Sequence, residues 1–385
     1  MNILQMTDGI PPRILGGAGR IVLETAAGLK ERGHTVHILT AGNNPPDELG
    51  IRIHSIPALP TAWSHYRSVF SRRRADGIMS VIDTIKPTLI HAHLLSWQLG
   101  YRWMAEARRR NIPIIITAHD AMMVHYGKVK SHETSFMTQL ASAGRSYNPL
   151  RNRAIRQMLL NADRILCVSD ALRAYLTLAG LPSLQTLHNG INLSFWKPQE
   201  TMAAARHALS LPPDAAIFLI AGRLGHAKGL DILLHSLPAK AHLIVAGNVD
   251  KKALISLAGR VHVYERQSSE DMRRLYAAAD CTVVPSLYLD PFPTVCLESM
   301  AMNRPVLATT HGGAKEAMIH NKTGWIVDPV DAEAFRKQVA WIAAHRKDLA
   351  DYGAFARKHV EQEFSLKIYV DHLEKIYTDT LAERK

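Results

Sequence analysis

The sequence predicts an α/β protein built from two doubly wound parallel sheets, and three observations carry that prediction. Short β-branched apolar segments alternate with stretches of helical period along all 385 residues. The alternation runs through one half of the chain, breaks at the turn-rich stretch HNGINLSFWKP at 188–198, and starts again. Several apolar segments end in glycines, histidines or paired charges, and ligands bind at the carboxyl ends of strands in such sheets.

The elements follow in order. In the first half the strand-like segments are Asn2–Met6, His34–Thr40, Ile51–Ile56, Thr88–Ala92, Pro113–Ala118, Arg164–Val168 and Thr186–His188. Helical spacing marks Ala18–Arg32, Ser96–Arg110 and Asp170–Ala179. The second half supplies Ala216–Ala221, His242–Gly247, Val261–Tyr264, Cys281–Pro285, Pro305–Thr309 and Gly324–Val327. The domains are set at 1–190 and 191–363. From 364 to 385, Phe364, Ile368, Leu373, Ile376 and Leu381 make one amphipathic helical pattern. Two such sheets joined by a hinge are expected to face each other across a cleft, which suits a reaction between two substrates.

Composition excludes several classes. Apolar residues make up 47% and charged residues 21%, the balance of a folded globular chain. No apolar run nears the ~20 residues needed to cross a bilayer. The start, MNILQMTDG, reads as a first strand and not as a signal peptide. Three cysteines, Cys167, Cys281 and Cys296, in apolar surroundings fit a reducing cytoplasm better than a disulfide framework. The net charge of +12 is uneven: residues 1–195 hold 22 Lys and Arg against 12 Asp and Glu. That field attracts polyanions, anionic membrane or phosphorylated small molecules.

Three segments carry candidate chemistry. Gly16, Gly17 and Gly19 lie between the first strand and the first helix, where backbone N–H groups and the helix dipole favour an anion. The spacing is neither G-x-G-x-x-G nor a P-loop, so a plain tight turn fits as well. Arg223 and Lys228 flank a glycine-bearing turn after the first strand of the second domain, the arrangement of a diphosphate clamp. In DPFPTVCLESMA, Asp290 and Glu298 bracket a helix start near Thr294. First-turn N–H groups between the two acids suit an anion, and a carboxylate there suits ribose or sugar hydroxyls. Glu298 also reads as an ordinary acid stabilising a helix dipole.

Together these segments resemble glycosyltransferase family 4, the retaining group 1 glycosyl transferases of GT-B fold. The resemblance runs through GGAGR (16–20), HAH (91–93), TAHD (117–120), CVSD (167–170), HNGIN (188–192), GRLGHAKGLDILL (222–234), VPSLYLDPFPTVCLESMAMNRPVLAT (284–309) and HGG (311–313). It implies two Rossmann-like domains, an acceptor-side one at 1–190 and a nucleotide-sugar-binding one at 191–363, with helix 364–385 packed back on the first. It implies Arg223 and Lys228 on the donor diphosphate, Glu298 on the ribose, and Asp290 on the sugar. The family usually places Glu where Asp290 stands, which withdraws that contact by one methylene. It implies His119 beside the transferred sugar, and Gly16, Gly17, Thr294 and Val295 as amide donors. The base is expected near Tyr264–Arg266.

The implied reaction moves a sugar from a nucleoside-diphosphate sugar to a hydroxyl acceptor, in polysaccharide, lipid-linked oligosaccharide or glycolipid synthesis. No cofactor and no metal are expected. His91, His93 and His119 offer three nitrogens, but structural histidines are commoner and no supporting carboxylate is evident. Basic clusters at Arg67, Arg72, Arg73 and Arg74, at Arg108–Arg110, and at Arg145, Arg151, Arg153 and Arg156 point to peripheral attachment on the inner face of a membrane, with Trp63, Tyr66 and Phe70 interleaved. A solvated basic face is the plainer alternative. Other readings are an epimerase-like nucleotide-sugar enzyme, a phosphorylase, and a non-catalytic polyanion-binding protein. No nucleic-acid-binding signature appears.

Overall fold

The computed structural model describes every residue except 12–16, 43–48, 126–128, 130–140, 142–146, 251–253, 255–258, 266 and 385. The chain divides into two compact units, one of Met1–Gly190 with Leu366–Lys385 and one of Ile191–Ser365.

The first unit is built on seven strands: β1 (Asn2–Met6), β2 (Thr35–Ala41), β3 (Arg52–Ile56), β4 (Leu89–Ala92), β5 (Ile114–Ala118), β6 (Arg164–Cys167) and β7 (Leu184–Thr186). They lie in the order 3-2-1-4-5-6-7, and all pairings are parallel. Continuous runs such as Ile114-Ile115-Ile116 are buried, as strands covered on both faces must be. The order reverses beside β1, so the carboxyl ends of β1 and β4 flank the crevice where such sheets bind ligands.

One face of this sheet is covered by helices Gly17–Glu31 and Leu366–Ala382. Val22, Ala26 and Leu29 pack with Ile3, Ile38, Val370, Leu373 and Ile376 in one core. The two helices approach closely: a Cβ at Gly28 would stand 2.9 Å from Cγ2 of Val370. The terminal helix therefore belongs to the first unit's core. Its buried stripe is Tyr369, Val370, Leu373, Ile376, Tyr377 and Thr380, so two tyrosines join the aliphatic residues of the sequence pattern.

Two expected elements differ. The helix expected over 96–110 is confined to Met104–Arg109. The carboxylate of Asp8 accepts from the N–H groups of Trp97 (2.6 Å), Gln98 (3.0 Å) and Leu99 (2.8 Å). Gly100 then takes φ +68°, where a Cβ would meet the Ser68 carbonyl. The left-handed Gly100, pressed on that carbonyl, breaks the helical path before Met104. The last strand of this sheet spans Leu184–Thr186, ahead of the expected 186–188.

The second unit has six parallel strands, β8 (Ile217–Ala221), β9 (His242–Ala246), β10 (Val261–Tyr264), β11 (Cys281–Val284), β12 (Val306–Thr309) and β13 (Gly324–Val327). Their order is 10-9-8-11-12-13, the same winding repeated. Phe218, Leu243, Val283, Leu307, Trp325 and Phe335 are among its core residues. Arg206 and Asp280, 2% and 5% exposed, pair at 2.8 Å and fix the amino end of β8 through the Ile217 N–H. Among the described residues no helix is long and apolar enough to cross a membrane.

Candidate active site

The carboxyl end of β8 turns sharply. Gly222 sits at φ +122° and Gly247 at φ +134°, where a Cβ on Gly247 would stand 2.0 Å from the Gly222 carbonyl oxygen. Only glycine permits that approach. A short 3-10 turn, His226–Lys228, follows and ends at Gly229, φ +69°. A Cβ at Gly229 would stand 2.0 Å from the Pro285 carbonyl oxygen. The Leu287 N–H closes the junction on the Ala227 carbonyl (2.9 Å). The glycine thus presses the turn onto the loop after β11, and Lys228 arrives beside Asp290.

Nζ of Lys228 donates to Oδ2 of Asp290 at 2.5 Å, and Ser286 Oγ donates to the same oxygen at 2.9 Å. The Asp290 main chain is held as well, its carbonyl accepting from Gly313 N–H (2.8 Å). Burial works against the charge on Lys228, but the Asp290 carboxylate, helped by Tyr288, outweighs it and raises the ammonium pKa. The Lys228 ammonium also stands 5.4 Å from the Tyr288 ring centroid. Burial and Asp290 push the Tyr288 phenol up to about 12, while Lys228 and Arg223 oppose the rise. Arg223 itself is exposed. Its effect on Tyr288 puts its charge in the same neighbourhood.

The helix Thr294–Ala301 begins just after this loop. Thr294 and Val295 are its first two residues, partly exposed, and helices leave such N–H groups without intrahelical partners. Glu298 is buried one turn further in, and Tyr276 donates its hydroxyl to Oε2 at 2.8 Å. Tyr276 is fully buried, edge-on to Trp196 at 5.8 Å. One oxygen of the acid is thus engaged by a residue of the unit's interior.

In the first unit the carboxyl ends of β4 and β5 present histidines. Nδ1 of His93 lies 3.1 Å from Nε2 of His119. His91 is a structural residue, with Nδ1 at 2.5 Å from the Tyr377 hydroxyl and Nε2 at 2.7 Å from Thr117 Oγ1. Burial lowers His91 to about 3 and His119 to about 4, and takes His93 well below its usual value. All three are therefore uncharged at neutral pH. Burial also lifts Asp8 to about 7, against its three backbone hydrogen bonds. His93, His119, Asp120, Ser96, Trp97 and Tyr101 line a small cavity here.

Lys228 and Asp290 thus meet in the loop just ahead of helix Thr294–Ala301, whose first two residues are Thr294 and Val295 and whose Glu298 is bonded to Tyr276. His119 lies at the carboxyl end of β5 in the first unit. Gly17 opens the first helix, while Gly16, Arg145 and Arg266 lie outside the described residues. Spacing alone did not reveal Tyr276, Tyr288, Asp8 or the His93–His119 contact. Tyr288 was at least inside the motif segment.

The basic clusters need correction. Arg74 is buried and donates to the Pro57 carbonyl (2.6 Å). Arg151, 1% exposed, donates to the carbonyls of His65 (3.1 Å) and Met122 (3.0 Å). Arg109 pairs with Glu106, Arg110 with Asp83 and Glu106, and Arg108 with Asp163. Arg67, Arg72 and Arg73 are exposed, as are Trp63 (64%) and Phe70 (51%) in the same stretch, and Arg108, Arg109, Arg110, Arg153 and Arg156 are exposed too. The three cysteines are buried, and burial raises all three thiols.

Residues 202–359 match the family of glycosyl transferases group 1, and residues 15–195 match Glycosyltransferase Family 4. A D-inositol 3-phosphate glycosyltransferase from Mycobacterium sp. (strain JLS) is 30% identical over 352 residues, covering 82% of this chain and 75% of that relative. The chain belongs to glycosyltransferase family 4. The fold agrees. Sucrose-phosphate synthase from Thermosynechococcus elongatus superposes with a TM-score of 0.82 at 23% identity, over 99% of both chains. Anabaena HepE, solved in complex with UDP and glucose, gives a TM-score of 0.74 at 18% identity, over 98% of this chain and 99% of that one. This glycosyltransferase therefore has the GT-B architecture, with two Rossmann-like parallel-sheet domains.

Proposed function

We propose that this glycosyltransferase takes a nucleoside-diphosphate sugar as donor and passes the sugar, with retention, to a hydroxyl acceptor. The observation that carries the reading is the meeting of Lys228 and Asp290, with Ser286 and Tyr288, at the mouth of the Thr294–Ala301 helix. A half-buried ammonium with a fixed acid beside it and a helix start just after them suits a diphosphate joined to a polyol. Arg223 and Lys228 bind the diphosphate, and the amides of Thr294, Val295, Gly16 and Gly17 add donors. Glu298 takes the ribose hydroxyls, Asp290 a sugar hydroxyl, and His119 lies beside the sugar. The UDP and glucose bound by Anabaena HepE support a donor of this class.

In the reaction the bond from the anomeric carbon to the phosphate oxygen breaks and a bond to the acceptor oxygen forms. Negative charge grows on the departing diphosphate, where Arg223 and Lys228 stabilise it. Losing one such preorganised donor typically costs ~3–4 kcal/mol in the barrier. The acceptor attacks from the face the phosphate leaves, and its proton passes to the departing phosphate oxygen. These residues need no metal and no cofactor for that chemistry. The exposed Trp63 and Phe70 beside Arg67, Arg72 and Arg73 form a small interfacial patch that fits a lipid-linked acceptor and attachment to anionic membrane.

A thermal-shift panel of UDP, GDP and ADP, each with its sugar, tests the donor. A ligand at 100 times its Kd adds ~2.7 kcal/mol to stability. One nucleotide is expected to raise Tm, and no shift with any of them contradicts the reading. Consumption of the donor with no acceptor product favours an epimerase instead.

A further inference from the structure

His93 and His119 leave adjacent strands at the same sheet edge, with Nδ1 of His93 3.1 Å from Nε2 of His119 and ring centroids 5.3 Å apart. Two uncharged imidazoles joined by one hydrogen bond need an N–H on one ring and a lone pair on the other. The direction is set at the far side of His93. Its Nε2 is buried with no hydrogen-bond partner among the described residues, and the residue is 2% exposed. The neighbouring ring, His91, stands 4.1 Å away and spends both nitrogens on Tyr377 and Thr117. An orphaned buried N–H is rarer than an under-satisfied acceptor. Nε2 of His93 therefore carries the lone pair and Nδ1 the proton, which it donates to Nε2 of His119. His119 then holds its own proton on Nδ1.

We propose that His93 is a positioning residue for sugar transfer: by donating from Nδ1 it fixes His119 as the neutral Nδ1–H tautomer, a hydrogen-bond donor to a sugar or acceptor hydroxyl. The inference rests on the reading that places His119 beside the transferred sugar. A purely structural pair needs only contact and is indifferent to which ring carries the shared proton. A positioning pair needs one tautomer, because a lone pair on Nδ1 of His119 turns a donor into an acceptor.

The test uses the full chain labelled with ring-15N histidine, at pH 7.5. Long-range proton–nitrogen spectra, with His119 assigned from its disappearance in His119→Gln, are expected to show His119 protonated on Nδ1. In His93→Asn, whose amide nitrogen occupies the place of Nδ1, that tautomer persists; in His93→Leu it is lost or mixed. A proton on Nε2 of His119 in the wild-type chain overturns the inference. Turnover is then followed with whichever of UDP-, GDP- and ADP-glucose the chain consumes. His93→Leu should lower kcat about tenfold or more with little change in donor KM, and His93→Asn should restore it. Adding His93→Leu to His119→Gln should cost nothing further. Unchanged turnover in His119→Gln defeats the reading of His119 itself. An impaired His119→Gln beside an unimpaired His93→Leu defeats only the inference. Thermal unfolding separates either result from misfolding, and the wild-type spectra need no variant of His93.

Discussion

Lys228 Nζ and Asp290 Oδ2, 62 positions apart in sequence, stand 2.5 Å apart with side chains 18% and 8% exposed. One oxygen of Asp290 thus receives both the ammonium and the Ser286 hydroxyl. A diphosphate arriving at Lys228 competes with this carboxylate for the same charge. The arrangement predicts that Asp290→Asn divides binding from turnover. Removing one partner of a buried pair costs ~3–5 kcal/mol when no water reaches it, and less here because Lys228 is partly exposed. Asp290→Asn should lower Tm and turnover while nucleoside-diphosphate affinity holds or tightens, as calorimetry will read. A parallel loss of affinity and turnover contradicts separate roles for the two residues.

Glu298 depends on Tyr276. The Tyr276 hydroxyl is the buried donor to Oε2. Leaving a buried acceptor short of its partner costs ~1–3 kcal/mol. Tyr276→Phe should lower Tm and weaken nucleoside diphosphates, and Glu298→Ala should weaken them more. Neither should change the affinity for inorganic pyrophosphate, which has no ribose. Equal weakening of both ligands moves Glu298 from the ribose to the phosphates.

Gly229 sets the position of Lys228. Its φ of +69° and the 2.0 Å approach of a would-be Cβ to Pro285 oxygen leave no room for a side chain. Left-handed backbone alone costs a non-glycine residue ~1–3 kcal/mol. Gly229→Ala should displace Lys228, lowering both Tm and nucleoside-diphosphate affinity in calorimetry. Gly33→Ala, also at positive φ (+83°) but with no atom of the described residues within 4 Å of a Cβ, is the control for backbone strain. If the two lower affinity alike, packing against Pro285 is not what places the lysine.

Stability should fall with acid. His91 and His119 are lowered to about 3 and about 4, and His93 further still, all by burial. A histidine lowered in the fold contributes fully above its unfolded value of ~6.5, and loses ~1.4 kcal/mol per pH unit below it until its folded pKa is reached. Asp8, raised to about 7, works the other way: its folded form gains relative stability as pH drops from about 7 toward the ordinary carboxylate range. Three histidines outweigh one carboxyl. Urea unfolding midpoints should therefore drop from pH 7.5 to pH 5, more steeply in Asp8→Asn. A flat or rising midpoint contradicts the uncharged histidine cluster.

The fold was legible because its cause is periodic. Runs such as Ile114–Ile116 and Val283–Val284 declare buried parallel strands, and glycines mark the turns after them. The candidate site residues were legible as a group because Arg223, Lys228, Asp290 and Glu298 sit in two short segments. Their mutual contacts were not. Nothing local tells that the turn ending at Gly229 lands on the Pro285 carbonyl and so brings Lys228 to Asp290. Tyr276 reads as one more apolar residue of a helix face, though its hydroxyl reaches Glu298. Asp8 shows the same limit in the first unit: a carboxylate after β1 captures three amides about 90 positions away, a contact that no local pattern announces. Runs of arginine were the least reliable signal. Arg74 and Arg151 are buried against carbonyls, and sequence does not distinguish them from exposed Arg72 and Arg73.

The central claim is that Lys228 grips a diphosphate. Isothermal calorimetry of UDP, GDP and ADP against the wild-type chain and Lys228→Ala tests it most directly. One nucleotide should bind the wild-type chain, and its affinity should fall about 100-fold or more in Lys228→Ala, the loss of a charge-assisted contact. Full affinity in a folded Lys228→Ala chain would contradict the claim.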